Sequence, residues 1–175
     1  MGGQESTTFW GASEGGNLPG SQLNESSEDE LSFVVLSLAT ETFAVEIHKV
    51  REIIRVPKIT WVPGAPDFVT GIINLRGSVL PVIDLAAVLS LPPWSDSPQS
   101  RIIVVDTEQF AVGLLVDSAS RVVEISPSLL QPALRTLDEN QKTFVIAQAN
   151  MEDALVGILD IDQVMANVRP TPAAS

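Results

Sequence analysis

The sequence GIINLRGSVLPVIDL, residues 71–85, contains two short apolar runs that meet at the tetrad NLRG, residues 74–77. Runs this short and this rich in Ile, Val and Leu are typical of paired strands, and glycine adopts the positive φ that a tight reversal requires. The stretch therefore predicts a β-hairpin with Arg76 held on a strand edge or at the turn. A guanidinium there suits recognition of a carboxylate or of backbone carbonyls, and it suits equally an anchor for the hairpin itself. Residue type alone does not separate these two roles.

An internal repeat indicates how the rest of the chain is organised. The hexapeptide TETFAV at residues 40–45 recurs as TEQFAV at residues 107–112, and an apolar strand precedes each copy. Each copy predicts a strand, a short turn and a second strand, and a weaker echo, MEDALVGIL, follows at residues 151–159. Repeats this far apart are whole subdomains, because solenoid units recur every ~20–50 residues. The simplest architecture is two similar small β-barrels in one chain.

Composition and charge limit the classes of function. The chain has 175 residues, 45% apolar content, no cysteine and a net charge of −12 at pH 7. The charge argues against nucleic-acid binding, and the lack of cysteine excludes disulfides, thiolate metal sites and cysteine nucleophiles. The apolar runs are too short for a transmembrane helix, and no Lys or Arg precedes Lys49, which argues against a secretory signal. We therefore expect a cytoplasmic protein with no direct membrane insertion.

The charge is unevenly distributed along the chain. Residues 1–30 contain six acids and no base and are rich in Gly, Ser, Asn and Gln, so we expect a disordered acidic tail. Phe9-Trp10 is the apolar spot in that tail and a candidate short docking motif. Residues 47–80 contain five of the ten basic side chains against two acids. This locally positive window suits either a solvated face or a docking surface for an acidic partner.

The sequence offers little for catalysis. Its single histidine, His48, lies among apolar neighbours, and no Gly-x-Ser-x-Gly elbow, P-loop or dinucleotide fingerprint accompanies it. The strand RIIVVD, residues 101–106, ends in a carboxylate as a phosphoryl-accepting receiver domain requires, but the next strand follows too soon for a parallel crossover. Turn formation and helix capping explain the strand-terminal aspartates better than an acid/base pair or a magnesium site. We expect no enzymatic activity, no metal and no cofactor.

The hairpin sequence and its surroundings resemble the signature of the CheW family, the coupling proteins of bacterial chemotaxis arrays. The resemblance rests on GIINLRG followed by VLPVIDL, and it extends through VREI at residues 50–53 and VGLLVD at residues 112–117. It covers the chain from about residue 33 to about residue 165. It implies a mainly β fold with short helices, in which two five-stranded SH3-like β-barrel subdomains pack on a shared hydrophobic seam.

The resemblance and the repeat together set the expected boundaries. Asp84 is expected to cap a short helix, and the proline-rich residues 91–98 are expected to link the two barrels. The expected units, in chain order, are a disordered tail (residues 1–30), a CheW-like domain (31–168) with a first barrel (about 33–90), a second barrel (about 100–160) and a closing helix (161–168), and a C-terminal tail (169–175).

In function, the resemblance implies a non-catalytic scaffold that couples chemoreceptors, the methyl-accepting proteins, to a CheA-type histidine kinase in chemotaxis or related motility signalling. One surface would bind the cytoplasmic signalling tip of the receptor and another the regulatory domain of the kinase. Such a protein is recruited to membrane-associated receptor arrays, where self-association is a further option. The partner-binding positions of the family match this sequence at Val50, Glu52, Gly71, Asn74, Arg76, Gly77 and Val122.

Two alternatives stay open at the level of sequence. The first is that Val50 and Val122 belong to the barrel core and not to a binding surface. The second is a β-barrel peptide-binding module unconnected with motility, because SH3-like barrels host many unrelated functions. The combination of the NLRG hairpin with the double-barrel repeat favours the scaffold. The sequence does not distinguish swimming, phototaxis and twitching systems.

Overall fold

A computed structural model describes residues 30–107, 109–133, 139–152 and 154–168. The expected acidic tail, apart from Glu30, and the expected C-terminal tail lie outside these residues. The described elements, in chain order, are β1 (Leu31–Leu38), β2 (Glu41–Glu46), a 3₁₀ turn (Ile47–Lys49), β3 (Val50–Arg55), β4 (Val69–Leu75), β5 (Ser78–Asp84), α1 (Leu85–Val88), β6 (Arg101–Asp106), β7 (Ala111–Val116), β8 (Ser118–Ile125), a 3₁₀ turn (Pro127–Leu129), α2 (Glu139–Phe144), β9 (Val145–Met151), β10 (Ala154–Leu159) and α3 (Ile161–Val168).

The described strands form two five-stranded sheets, and the two sheets are built alike. Sheet A has the order β9-β10-β2-β1-β8, and sheet B has the order β3-β6-β7-β5-β4. Each sheet contains one parallel pair, β10 with β2 in sheet A and β5 with β7 in sheet B, and its other neighbours are antiparallel. The hairpins β1-β2 and β6-β7 contain the two copies of the sequence repeat. Each sheet therefore combines one repeat hairpin with three strands from the other half of the chain.

This strand assignment corrects the sequence prediction, which gave each barrel one continuous stretch of chain. The first barrel was expected at about residues 33–90, but β1 and β2 lie in sheet A with the last three strands. The second was expected at about residues 100–160, but β6 and β7 lie in sheet B. A hydrophobic pattern determines that a hairpin forms, but not which strand pairs with its free edge. Since the two repeat hairpins are similar, the sequence did not reveal the exchange.

Burial on both faces explains why β6 reads as an unbroken apolar run. Successive side chains of a strand point to opposite faces. Ile102 and Val104 pack in a cluster formed within sheet B, whereas Ile103 and Val105 pack in a larger cluster to which both sheets contribute. Phe43 of sheet A lies in that shared cluster, which is the seam expected from the sequence. The predicted fold class, mainly β with two five-stranded subdomains, is confirmed.

Connecting segments cover one edge of each sheet. Outside β4, Thr60 and Ile72 exchange two backbone hydrogen bonds of 2.8 Å, and outside β9 the backbones of Gln131 and Gln148 do the same. Open edges expose donors and acceptors that favour aggregation, so these bridges protect the two outer strands.

Helices α1 and α3 follow strands β5 and β10 in the chain, and both bury apolar side chains in the shared cluster. Asp84 caps α1, because its Oδ1 accepts a hydrogen bond from the Ala87 N–H at 3.4 Å, as the sequence predicts. In α3, Ile161, Val164 and Met165 are buried in the shared cluster. None of the helices in the described ranges is long and apolar enough to span a membrane.

Candidate functional site

The β4-β5 turn consists of Arg76 and Gly77, whose φ angles are 52° and 88°. Two positive φ angles in a two-residue loop indicate a type I′ turn, whose twist matches that of the strands it joins. The Asn74 side-chain oxygen accepts a hydrogen bond from the Gly77 N–H at 2.9 Å and so fixes the loop from within. The predicted hairpin is confirmed, and Arg76 lies at its turn.

Arg76 forms a two-pronged ion pair with Glu52 of β3. Its Nη1 lies 2.6 Å from Oε2 of Glu52, and its Nη2 lies 2.7 Å from Oε1. Paired contacts of this kind add a fixed orientation to the charge attraction. In sheet B, β3 and β4 are the two outermost strands, so this contact spans opposite edges of the sheet. The sheet therefore curls until its edges approach each other, as in a barrel.

The ion pair changes the titration of both side chains. The hydrogen bonds from Arg76 lower the pKa of the Glu52 carboxyl, partial burial opposes this effect, and the charges of Arg76 and Arg51 add to it. The same contact raises the pKa of Arg76. The Glu52 side chain is 22% exposed and that of Arg76 68% exposed. Arg76 therefore remains ionised, is held in one orientation, and still presents N–H groups to solvent.

Gly71 lies where the segment before β4 presses against that strand. A Cβ at this position would lie 2.7 Å from Ile59 Cγ2 and would also collide with the carbonyl oxygen of Thr60. That carbonyl accepts one of the two hydrogen bonds that bridge Thr60 and Ile72. The observed close approach at Gly71 is therefore internal, and it sets the path of the chain that leads into the hairpin.

The two valines of the predicted site lie on different sheets. Val50 begins β3 and is half-buried against the shared cluster. Val122 lies on β8 of sheet A, opposite Val34, and its exposure of 53% rules out a core role. Direct contacts join the β4-β5 turn to Glu52, and Val50 lies on the same strand as Glu52. Val122 stands apart from this group.

Val79 belongs to the hairpin surface but was missed by the sequence reasoning. It lies opposite Asn74 in the ladder and is 64% exposed. The next residue, Leu80, is buried, so the alternation of inward and outward side chains along β5 was the signal that would have identified Val79. The outer face of the hairpin thus presents an aliphatic side chain three positions after Arg76 in the chain.

Ion pairs neutralise much of the predicted basic window, residues 47–80. Arg55 and Lys58 are the bases of this window that form no ion pair within the described part of the chain. The free positive charge is therefore concentrated at the end of β3. The paired bases are Lys49 with Asp162 (3.1 Å), Arg51 with Asp106 (3.6 Å) and Arg76 with Glu52 (2.6 Å).

The groups considered for catalysis are dispersed. Asp106 ends β6 at an antiparallel hairpin, where it faces Ala111, so the strand is not followed by a parallel crossover and Asp106 is a turn residue as predicted. The His48 side chain is 65% exposed, with Nδ1 3.6 Å from Oε2 of Glu46. Among the residues described, no three His, Asp or Glu side chains are arranged to hold a metal ion.

Comparison with known proteins finds relatives that span the same region. The model of the CheW-like domain family matches residues 32–169. A probable chemotaxis protein CheW of Rhizobium etli is 28% identical over 151 residues, which cover 86% of this chain and 96% of the relative. Chemotaxis protein CheW of Rhizobium meliloti is 31% identical over 131 residues, or 75% of this chain and 84% of the relative. The crystal structure of the scaffolding protein TtCheW from Thermoanaerobacter tengcongensis has a TM-score of 0.68 and 34% identity, covering 75% of this chain and 84% of that one.

Proposed function

Because the chain belongs to the CheW-like domain family, we propose that it is a non-catalytic scaffold that couples chemoreceptors to a CheA-type histidine kinase. Relatives that match most of the chain are named as chemotaxis proteins, and a similar solved structure is named as a scaffolding protein. These findings support the scaffold predicted from the sequence. They do not favour the alternative, a peptide-binding barrel unconnected with motility.

The two-pronged ion pair of Glu52 and Arg76 is the observation that connects the proposed function to particular residues. It ties an exposed turn to β3, so the surface loses little conformational freedom when a partner binds. Val79 supplies apolar contact area, and the solvent-facing N–H groups of Arg76 supply donors for a carboxylate or a carbonyl. A surface with one apolar and one cationic feature suits an amphipathic helical tip.

We assign the cytoplasmic signalling tip of the receptor to this hairpin surface. Gly71, Asn74 and Gly77 give the surface its backbone shape, and Val50 extends it along β3. Val122 supplies a separate apolar contact from sheet A. The roles of these residues in binding are part of the proposal, as is the assignment of the regulatory domain of the kinase to a different face.

The scaffold acts by geometry and involves no catalytic step, nucleic acid or cofactor. Two partners bound to one rigid unit raise the effective concentration of each at the other, so a shift in the receptor changes the environment of the kinase. Each contact needs an affinity of only about 1 μM, roughly −8 kcal/mol, because an array is multivalent. The protein works in the cytoplasm and is recruited to membrane-associated receptor arrays, where self-association adds a further contact.

The test is a pull-down of the full chain with the cognate kinase and a soluble receptor signalling fragment. We expect a ternary complex that contains all three proteins. A receptor fragment that lacks the signalling tip serves as the matched control, and with it only the kinase should be captured. If the folded chain captured neither partner, the coupling role would be wrong.

A further inference from the structure

A groove walled by two tryptophans lies beyond the end of β3, away from the β4-β5 turn. It is a shallow groove of about 300 Å³ that is open to solvent, and Val56, Pro57, Trp61 and Trp94 are among the side chains that line it. This volume lies at the lower end of the range found for ligand pockets, so the groove admits aromatic side chains. Trp61 is 72% exposed, more than any other large hydrophobic residue in the described ranges. A tryptophan exposed beside a cavity is typical of a binding hot spot.

Hydrogen bonds hold both walls of this tryptophan groove in place. Thr60, which precedes Trp61, exchanges two backbone hydrogen bonds of 2.8 Å with Ile72. The indole N–H of Trp94 donates to Ser100 Oγ at 2.9 Å. The groove is therefore preformed, and an incoming segment need not order it.

The charge around the tryptophan groove is favourable to an acidic ligand at one end. Arg55 and Lys58 adjoin the lining residues Val56 and Pro57, and both are exposed and free of ion pairs within the described structure. Asp96 lines the groove and supplies the one carboxylate among its walls. Aromatic walls beside free cations select a peptide that combines aromatic side chains with carboxylates.

We propose that the tryptophan groove binds the chain's own residues 5–14, ESTTFWGASE. Phe9 and Trp10 are the aromatic residues of the first 30, and Glu5 and Glu14 flank them at a spacing of four positions on each side. Residues 1–30 contain six acids and no base, which complements the free cations of the groove. The aromatic pair fills the groove, and the glutamates contact Arg55 and Lys58. This interaction lies beyond the scaffold function and does not depend on it.

The length of the intervening chain permits the contact. Phe9 precedes Glu30, the first described residue, by 21 positions, and a chain of that length spans up to about 70 Å when extended. A random coil of 21 residues has an end-to-end distance of about 25 Å. A domain of about 140 residues has a radius of gyration of only about 14 Å. Tethering at this distance gives an effective concentration in the millimolar range, so a weak intrinsic affinity is sufficient.

The test uses paramagnetic labelling of the full chain. Because the protein contains no cysteine, Ser13→Cys creates a single attachment site for a nitroxide next to the aromatic pair. We expect loss of NMR intensity at the backbone of Trp61 and at both indole N–H groups of the groove, with no loss at Val122 on sheet A. Equal losses on both sheets, or no loss at the groove, would overturn the proposal.

A paired substitution in the tail separates specific docking from general proximity. Phe9→Ala with Trp10→Ala should remove the losses at the groove, whereas Thr7→Ala with Thr8→Ala should leave them unchanged. Both pairs lie outside the described residues, so the sequence of the strands and helices is the same in the two variants. Losses that persist without the aromatic pair would contradict the proposal.

Charge exchange and isotope mixing complete the test. Glu5→Lys with Glu14→Lys should release the segment, and adding Arg55→Glu with Lys58→Glu should restore docking, since each reversed charge then faces an opposite charge.

In a mixture of ¹⁵N-labelled unmodified chain and unlabelled nitroxide-bearing chain, the losses should disappear. Losses that persist in this mixture would show that a second copy supplies the segment, and would overturn docking within one chain.

Discussion

The β4-β5 and β9-β10 hairpins occupy equivalent places in the two sheets, yet they end in turns of opposite charge. Both turns begin with a non-glycine residue of positive φ, Arg76 at 52° and Glu152 at 54°. Each hairpin also places an asparagine opposite an exposed aliphatic residue, Asn74 with Val79 and Asn150 with Leu155. The backbone of the outer hairpin is therefore similar in the two sheets, whereas the side chain at its turn is not.

The ion pairs at the two turns differ in their distances, in the number of contacts and in the exposure of the carboxylate. Arg76 makes two contacts of 2.6 and 2.7 Å with Glu52, whose side chain is 22% exposed. Glu152 lies 3.8 Å from Arg121, and its side chain is 78% exposed. An exposed single contact contributes little, while a two-pronged contact fixes orientation. The comparison indicates that a shared fold supplies two similar hairpins and that side chains make only one of them a rigid surface.

We expect the largest effect on the free energy of unfolding, at the residue that follows the bulge near the start of each hairpin. Gly71 and Ala147 occupy equivalent places, each just after a bulge in its ladder. Gly71→Ala would force a methyl group against Thr60, so we expect the free energy of unfolding to fall by roughly 2–4 kcal/mol. Ala147→Gly, the matched control, should cost about 0.5–1 kcal/mol. Urea unfolding measures both values, and equal effects would remove this distinction.

The next effect tests whether the charge at the turn matters for binding. Arg76→Glu places a carboxylate against Glu52, so we expect the affinity for the receptor fragment to fall by about tenfold or more. The double variant Arg76→Glu with Glu52→Arg should recover much of the rigidity of the turn. Glu152→Arg, the corresponding reversal in sheet A, should leave receptor affinity unchanged in calorimetric titrations. Equal losses at the two turns would contradict the assignment of the receptor to the β4-β5 hairpin.

A smaller effect should separate the two exposed aliphatic residues. Val79→Ser removes apolar contact area from the proposed receptor surface, so we expect a three- to tenfold loss of affinity, which is roughly the effect of burying part of a valine. Leu155→Ser makes a similar change in the other hairpin and should have no effect on receptor affinity. If the leucine variant lost receptor binding and the valine variant kept it, the receptor would belong to sheet A.

The smallest expected effect is the pH dependence of the stability that the Glu52-Arg76 ion pair contributes. Because Arg76 lowers the pKa of Glu52, the NMR titration midpoint of the Glu52 carboxyl should lie below the ordinary value of a glutamate. The carboxyl loses its proton more readily in the folded state, so its stabilising contribution is full above the ordinary value and disappears as the pH falls through the lowered one. Arg76→Gln should return the midpoint to the ordinary range. An unchanged midpoint in that variant would show that another group causes the shift.

Local features of this protein were predictable because their causes are local. Two apolar runs around Gly77 predict a tight hairpin, and Asp84 before a short apolar segment predicts a helix cap. The pairing of Glu52 with Arg76 was not predictable, since it depends on how far sheet B curls. For the same reason, the sequence did not show that bases of the window at residues 47–80 form ion pairs, because their partners Asp106 and Asp162 lie far away in the chain. The exchange of the repeat hairpins also depends on long-range strand pairing, in which two similar strand edges compete.

That exchange of hairpins determines the order in which the protein can be completed during synthesis. β1 and β2 are synthesised before β8 and β10, which are their outer neighbours in sheet A. Val34 therefore cannot pair with Val122, nor Thr42 with Val156, until those later strands have been made. Pairing across such separations is slow, and a waiting apolar hairpin is prone to aggregate. It also means that the proline-rich segment at residues 91–98 is not a place to divide the gene. Each fragment would lack the hairpin that the other retains, and neither sheet would form until the two fragments had met again.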